Sequence, residues 1–217
     1  MNSKISVVIP ARNEEEYIGK TLDGILQNKL NVEIIVVCDN CMDSTREIAE
    51  KYTKNVFDVN FDNVAKSRNY GAKEAKGEIL VFLDADTLVS ENYFTEIQRY
   101  MKSYDYGVAR WKSESKHPIG VYFAKSVNIA NRVKHVINGN SFMLRSAFLK
   151  VGEFNEELSK AEDTELGERM NDAGMKFIYA KNIYQIPSER VFRKMGYFKR
   201  LLESQIDHMK YHSRKLT

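Results

Sequence analysis

An α/β fold, a mostly parallel sheet flanked by helices, is predicted by three features of this sequence. Apolar runs without polar alternation recur at Ile5 to Ile9, Val32 to Val37 and Ile79 to Leu83, and strands of that kind are buried on both faces, as in a parallel sheet covered by helices. Segments with apolar residues at helical spacing separate these runs. The connections are short, which implies right-handed crossovers within one sheet.

Each element has its own reason. Ile5 to Ile9 is β-branched and stops at Pro10. Glu14 to Leu26 sets Tyr17, Ile18, Leu22, Ile25 and Leu26 on one helical face. After the strand Val32 to Val37, Asp43 to about Lys54 reads as a helix with Asp43 suited to its N-cap. A short strand over Asn55 to Phe57 precedes a helix over Asn63 to Lys76, which Gly77 ends. Beyond the strand Ile79 to Leu83, the patterns predict a helix over Ser90 to Met101, a strand over Tyr106 to Lys112 and a helix over Ile119 to Val136. An extended Asn140 to Leu144, a short helix from Ser146, a helix over Asp163 to Asp172 and a strand over Lys176 to Tyr179 complete the series.

Of 217 residues, 43% are hydrophobic and 29% charged, ordinary globular usage that excludes a disordered or fibrous chain. No stretch approaches the roughly 18 apolar residues that span a bilayer, and the amino terminus is too short for a signal peptide. A cytoplasmic location is therefore expected, where Cys38 and Cys41 need not form a disulfide. The net charge of +3 is unevenly placed, because eight basic residues face three acidic ones from Glu189 onward. Met195, Tyr197, Phe198, Leu201, Leu202, Ile206 and Met209 recur there at near-helical spacing. The expected organisation is one domain over 1–188 and a basic amphipathic helical tail over 189–217, which packs on the domain or lies peripherally on an anionic membrane. No nucleic-acid partner is expected.

The candidate chemistry gathers after the strands, where open α/β sheets bind ligands. Asp84, Ala85 and Asp86 follow the most buried strand; two carboxylates one residue apart repel unless compensated, and can share a hard cation, Mg²⁺ or Mn²⁺, with the oxygens of a diphosphate. Pro10 to Glu16 follows the first strand and turns Glu14 to the crevice. Asp39 follows the second, where a carboxylate can accept from a base imide or a ribose hydroxyl. Arg68 could pair with a phosphate or stack on a base. Asp163 opens a helix; it either caps that helix or removes a proton from an acceptor hydroxyl. Cys38 and Cys41 form a C-x-x-C pair, but His117, His135, His208 and His212 lack the spacing for a zinc site with it. His208 and His212, four apart on one helical face, either face solvent or serve as a metal pair or third ligand near the diphosphate, and Trp111 either packs in the core or floors a sugar pocket. No G-x-G-x-x-G or G-x-x-x-x-G-K-[ST] is present, which excludes the common dehydrogenase and NTPase signatures.

Val7-Val-Ile-Pro-Ala-Arg-Asn-Glu-Glu15, an aspartate after the second strand, Arg68-Asn-x-Gly71, Gly77 to Asp86, Gly152-Glu-Phe-Asn155 and Glu162-Asp-Thr-Glu-Leu-Gly-Glu-Arg169 occur in that order. The set closely resembles family 2 glycosyltransferases of the GT-A fold, a Rossmann-like architecture, over Ile5 to Tyr179. The resemblance implies a nucleotide-diphosphate sugar donor, Mg²⁺ or Mn²⁺, and transfer with inversion. It implies Pro10, Ala11, Glu14, Asp39 and Arg68 at the nucleotide, Asp84, Ala85 and Asp86 at ribose and metal, and Asp163 as base. Gly139 and Asn140 match a region that often contacts donor sugar or acceptor. The Gln-x-x-Arg-Trp motif of processive synthases is absent, which favours a single addition to a carbohydrate, lipid-linked or small-molecule acceptor. A donor-binding protein without transferase activity, or a sugar-phosphate nucleotidyltransferase, are the alternatives.

Overall fold

The computed structural model describes residues 4–115, 117–158, 160–196 and 199. Its elements are β1 (Ile5–Ala11), α1 (Ile18–Leu26), β2 (Glu33–Asp39), α2 (Thr45–Ala49), β3 (Val56–Val59), α3 (Val64–Glu74), β4 (Ile79–Phe82) and β5 (Thr87–Val89). They continue with α4 (Tyr93–Tyr100), β6 (Tyr106–Trp111), α5 (Pro118–Lys134), β7 (Ser141–Leu144), α6 (Arg145–Val151), α7 (Glu162–Asp172), β8 (Phe177–Pro187) and α8 (Arg190–Met195).

The eight strands of the described residues form one sheet in the order β3-β2-β1-β4-β7-β6-β8-β5. From β3 to β4 every pairing is parallel, so β1, β2 and β4 open at the same edge. β7 then runs antiparallel between β4 and β6, and β5 closes the far edge antiparallel to β8. The parallel prediction therefore holds in the amino-terminal half and gives way to a mixed sheet beyond β4.

The unbroken apolar runs are explained by the two cores. Val7 and Ile9 of β1 and Val81 of β4 pack with Ile18, Leu22, Phe94 and Ile97 on one face. Val8 of β1, with Leu80 and Phe82 of β4, packs with Ala65, Phe148, Leu166 and Met170 on the other. Both faces are buried, so alternate positions are equally apolar. Close approach of α3 to β1 needs Gly71, because a Cβ there would stand 2.4 Å from Cγ1 of Val8.

Several boundaries differ from the sequence reading. Glu14 to Tyr17 make a turn whose carbonyl at Glu14 receives the N–H groups of Tyr17 and Ile18, so α1 begins later. α2 stops at Ala49 because Thr53 and Asn55 donate side-chain hydrogen bonds to the Ile34 carbonyl, pulling the chain toward β3. β8 is 11 residues long. An irregularity shifts its pairing with β6 from Ala109–Ala180 to Arg110–Tyr184, and the polar Lys181 and Asn182 beside that shift hid the second half. β5 has three residues, too few for a periodic signal. The tail beyond Gly196, including His208 and His212, lies outside the described residues apart from Lys199. No helix among the described residues is long and apolar enough to cross a membrane.

Candidate active site

A cavity of about 430 Å³ opens at the carboxyl ends of β1, β2 and β4, lined by Pro10, Ala11, Arg12, Glu14, Asp39, Asp62, Asn63, Val64, Ser67, Asp84, Ala85, Asp86 and Arg190. Seven of the residues singled out from sequence meet there: Pro10, Ala11, Glu14, Asp39, Asp84, Ala85 and Asp86. Arg68 and Asp163 are not among its lining residues.

Arg68 is buried, 4% exposed, behind the lining residue Asp84 to which it is paired. Its Nη2 is 3.0 Å from Oδ1 of Asp84 and its Nη1 is 2.5 Å from Oε1 of Glu162, while the guanidinium stacks on the Phe154 ring at 5.4 Å. Burial alone would favour the neutral guanidine, but the charges of Asp84, Glu162 and Asp163 overcome it and raise the pKa. A side chain expected at the base or diphosphate thus spends its fork on two protein carboxylates. It ties the end of β4 to the start of α7. The neighbouring Asn69 closes the same seam, trading two hydrogen bonds of 2.9 and 3.0 Å with the backbone of Phe154.

Asp84 is further clamped by Asn140. The Asp84 N–H donates to Oδ1 of Asn140 at 2.7 Å, and Nδ2 of Asn140 donates to Oδ2 of Asp84 at 3.0 Å. Gly139 precedes this clamp because a Cβ there would stand 2.6 Å from Nη2 of Arg68. Thus the segment leading into β7 sets Gly139 and Asn140 against the acid-bearing turn, with Asn140 bonded to Asp84.

Asp39 is buried, and both its oxygens are committed. Oδ1 accepts from the N–H groups of Phe61 and Asp62, and Oδ2 from the N–H of Asn63 and the hydroxyl of Ser67. Burial pushes its pKa up, but these donors outweigh it and hold the carboxyl below the ordinary range. Four donors fill the lone-pair capacity of a carboxylate. Asp39 therefore shapes the cavity wall, including Asp62 with its left-handed φ of 50°, instead of presenting a vacant acceptor.

Asp86 is pushed up to about 7, first by burial and then by the charges of Asp84 and Glu14, with Arg190 opposing. Arg190, the first residue of α8, reaches Glu14 with both Nη atoms, Nη1 to Oε2 at 2.6 Å, and sets Nε 3.3 Å from Oδ2 of Asp86. The Glu14 N–H is held by Thr45 Oγ1 at 2.7 Å. Arg190 was missed because in sequence it is one charge among eight in a basic tail. Its only local signal is a position just past a strand end.

Asp163 is half-buried at the start of α7. Its Oδ1 accepts from the Thr164 N–H at 2.6 Å, and its pKa is raised to about 6 by burial and by Glu162, with Arg68 opposing. The charge of Asp84 also acts on it. The two acidic motifs therefore share one electrostatic neighbourhood. Ala161, just before them, carries a left-handed φ of 62°, a strained setting for a residue with a Cβ.

No group of three or more His, Cys, Asp or Glu side chains converges as a metal cage among the described residues. Cys38 and Cys41 are free thiols; their mutual hydrogen bond lowers Cys41 to about 7 and pushes Cys38 up. Trp111 packs edge-on against Phe123, which packs on Phe192; it is not among the cavity lining.

The sequence model of glycosyl transferase family 2 matches residues 6–152. A 4,4'-diaponeurosporenoate glycosyltransferase of Staphylococcus haemolyticus is 37% identical over 107 residues, 45% of this chain and 28% of that protein. The poly(ribitol-phosphate) beta-N-acetylglucosaminyltransferase TarS of Staphylococcus aureus is 28% identical over 178 residues, 74% of this chain and 31% of that protein. The chain thus spans less than a third of the length of these relatives. Among solved structures, TarS 1-349 in complex with UDP-GlcNAc superposes with a TM-score of 0.71 at 21% identity, over 86% of this chain and 59% of that one. The mannosyltransferase PcManGT of Pyrobaculum calidifontis, in complex with GDP-Man and Mn²⁺, gives 0.76 at 18% identity, over 99% and 65%. Its sheet is the GT-A sheet of these enzymes, and with the family match over most of its sheet the chain belongs to glycosyl transferase family 2.

Proposed function

We propose that this chain transfers a sugar from a nucleotide-diphosphate donor to an acceptor hydroxyl, one addition at a time and with inversion, using Mg²⁺ or Mn²⁺ at Asp86. The residues present fit such an ion. Asp86 and Asp84 supply hard oxygens with Glu14 beside them, their mutual repulsion leaves negative charge that Arg190 only partly offsets, and among the described residues no group of three or more such side chains converges as a cage. An ion that keeps its waters and takes its remaining oxygens from a diphosphate suits that sparse set. When bound, it would act as a Lewis acid on the departing diphosphate.

The chain's own residues do the rest. The walls at Pro10 and Ala11 and the loop ordered by Asp39 enclose the nucleoside, and Asp84 with Ala85 faces the ribose. Asp163 takes the acceptor proton as the acceptor oxygen bonds to the anomeric carbon and the carbon–oxygen bond to the diphosphate breaks on the opposite side. A pKa near 6 suits this work, because the group is mainly ionised at neutral pH and still basic enough to accept a proton. The observation that carries the reading is the double ion pair of Arg68, which couples Asp84 at the cavity to Glu162 beside Asp163.

Asp163→Asn tests it. We expect donor affinity, measured by calorimetry, to stay within about twofold while kcat falls roughly 10²- to 10⁴-fold, the usual worth of a general base. Equal turnover of the two proteins would remove Asp163 from the mechanism.

A further inference from the structure

We infer that Arg190 is a resident counter-ion of the metal site, holding Glu14 and Asp86 where a divalent cation would otherwise neutralise them, and that it transfers to the diphosphate when cation and donor arrive. The first half rests on the cation reading above and the second on the donor reading as well.

The placement is built, not incidental. Three nitrogens of one guanidinium meet two carboxylates, its face lies 4.9 Å from the Tyr17 ring, and the Ser188 N–H donates to the Asp86 carbonyl at 3.0 Å. The lead-in to α8 is thereby pinned to the same turn that carries Asp86. A planar fork of fixed donors is suited to bridging two carboxylates, which a solvated tail charge would not do. Among the described residues, Arg12 of the cavity lining pairs with Asp62 at 2.6 Å, and Arg68 pairs with Asp84 and Glu162.

Arg190 and a divalent ion are thus alternatives for the same oxygens. Its contact with Asp86, at 3.3 Å, is longer than the 2.6 Å contact with Glu14, so a cation taking Asp86 need break only the weaker link. A bare ion gains Asp86 at the expense of Arg190. An ion that arrives with a diphosphate also brings a new anion for the released guanidinium. Metal and diphosphate should therefore bind with positive coupling, while metal alone binds weakly.

The test uses the full chain, with Arg190→Gln and Arg190→Lys, and isothermal calorimetry of Mn²⁺ alone, of UDP and GDP with Mn²⁺, and of UMP and GMP. We expect Arg190→Gln to bind Mn²⁺ alone about tenfold more tightly and the diphosphates about tenfold more weakly, each a shift of roughly 1.4 kcal/mol, with monophosphates unchanged. Arg190→Lys should fall between. Mn²⁺ affinity that is unchanged or lower in Arg190→Gln, or an equal loss for mono- and diphosphates, would overturn the inference. Failure of both diphosphates to bind the wild type would instead sink the donor reading, and the Mn²⁺ measurement would still decide whether Arg190 competes with the cation. Should Arg190→Gln not fold, Arg190→Lys carries the same comparison.

Discussion

Asp163 has a titration with a consequence for stability as well as for chemistry. Its folded pKa of about 6 stands above the ordinary 3.8, so the folded chain binds this proton more tightly than the unfolded one does. Stability from this group is fully present below about pH 4 and is lost as pH rises through 6. Asp163→Asn carries no charge at any pH. It should be more stable than wild type by about 2 kcal/mol at pH 8, from ~1.4 kcal/mol per pKa unit discounted for partial exposure, and the difference should vanish near pH 4. Thermal unfolding at the two pH values checks this, and a pH-independent difference would contradict it. Asp39 behaves oppositely, with its proton displaced by four donors, which marks it as a builder of the wall.

At the scale of elements, the site is a joint between α3, β4, β7 and α7, and Arg68 is its pin. Removing one partner of a buried ion pair strands the other, so Arg68→Ala should cost about 3–5 kcal/mol in urea unfolding, through Glu162, which is 6% exposed. A loss below about 1 kcal/mol would mean that Glu162 finds water. The strands of the parallel half and the motifs after them were legible because apolar runs and strand-end acids are local signals. Three things were not. β8 hid behind its pairing shift at Ala109. The role of Asp39 depends on N–H groups more than 20 residues later. Arg190 depends on α8 returning to β1 and the Asp86 turn. Each is a long-range contact to which local periodicity is blind. Asn140 was legible as a region, and only the strand order, which sets β7 against β4, singles it out.

For the whole molecule, the sheet order decides where chemistry can occur. Three parallel strands open at one edge, the segment leading into the antiparallel β7 sets Gly139 and Asn140 beside Asp84, and β8 returns the chain so that Arg190 of α8 reaches Glu14 and Asp86. Residues from Pro10 to Arg190 thereby face one space of about 430 Å³, a usual size for a small-molecule site. The central claim is that this space holds a nucleotide diphosphate together with a cation. The most direct measurement is thermal unfolding with UDP, GDP or TDP, with and without Mn²⁺, for wild type and Asp86→Asn. Ligand at about 100 times its dissociation constant stabilises by roughly 2.7 kcal/mol, or on the order of 5–10 °C for a chain of this size. The account predicts such a shift for at least one diphosphate in the wild type, dependent on Mn²⁺ and lost in Asp86→Asn. No shift with any of the three, or one indifferent to both Mn²⁺ and Asp86, would contradict it.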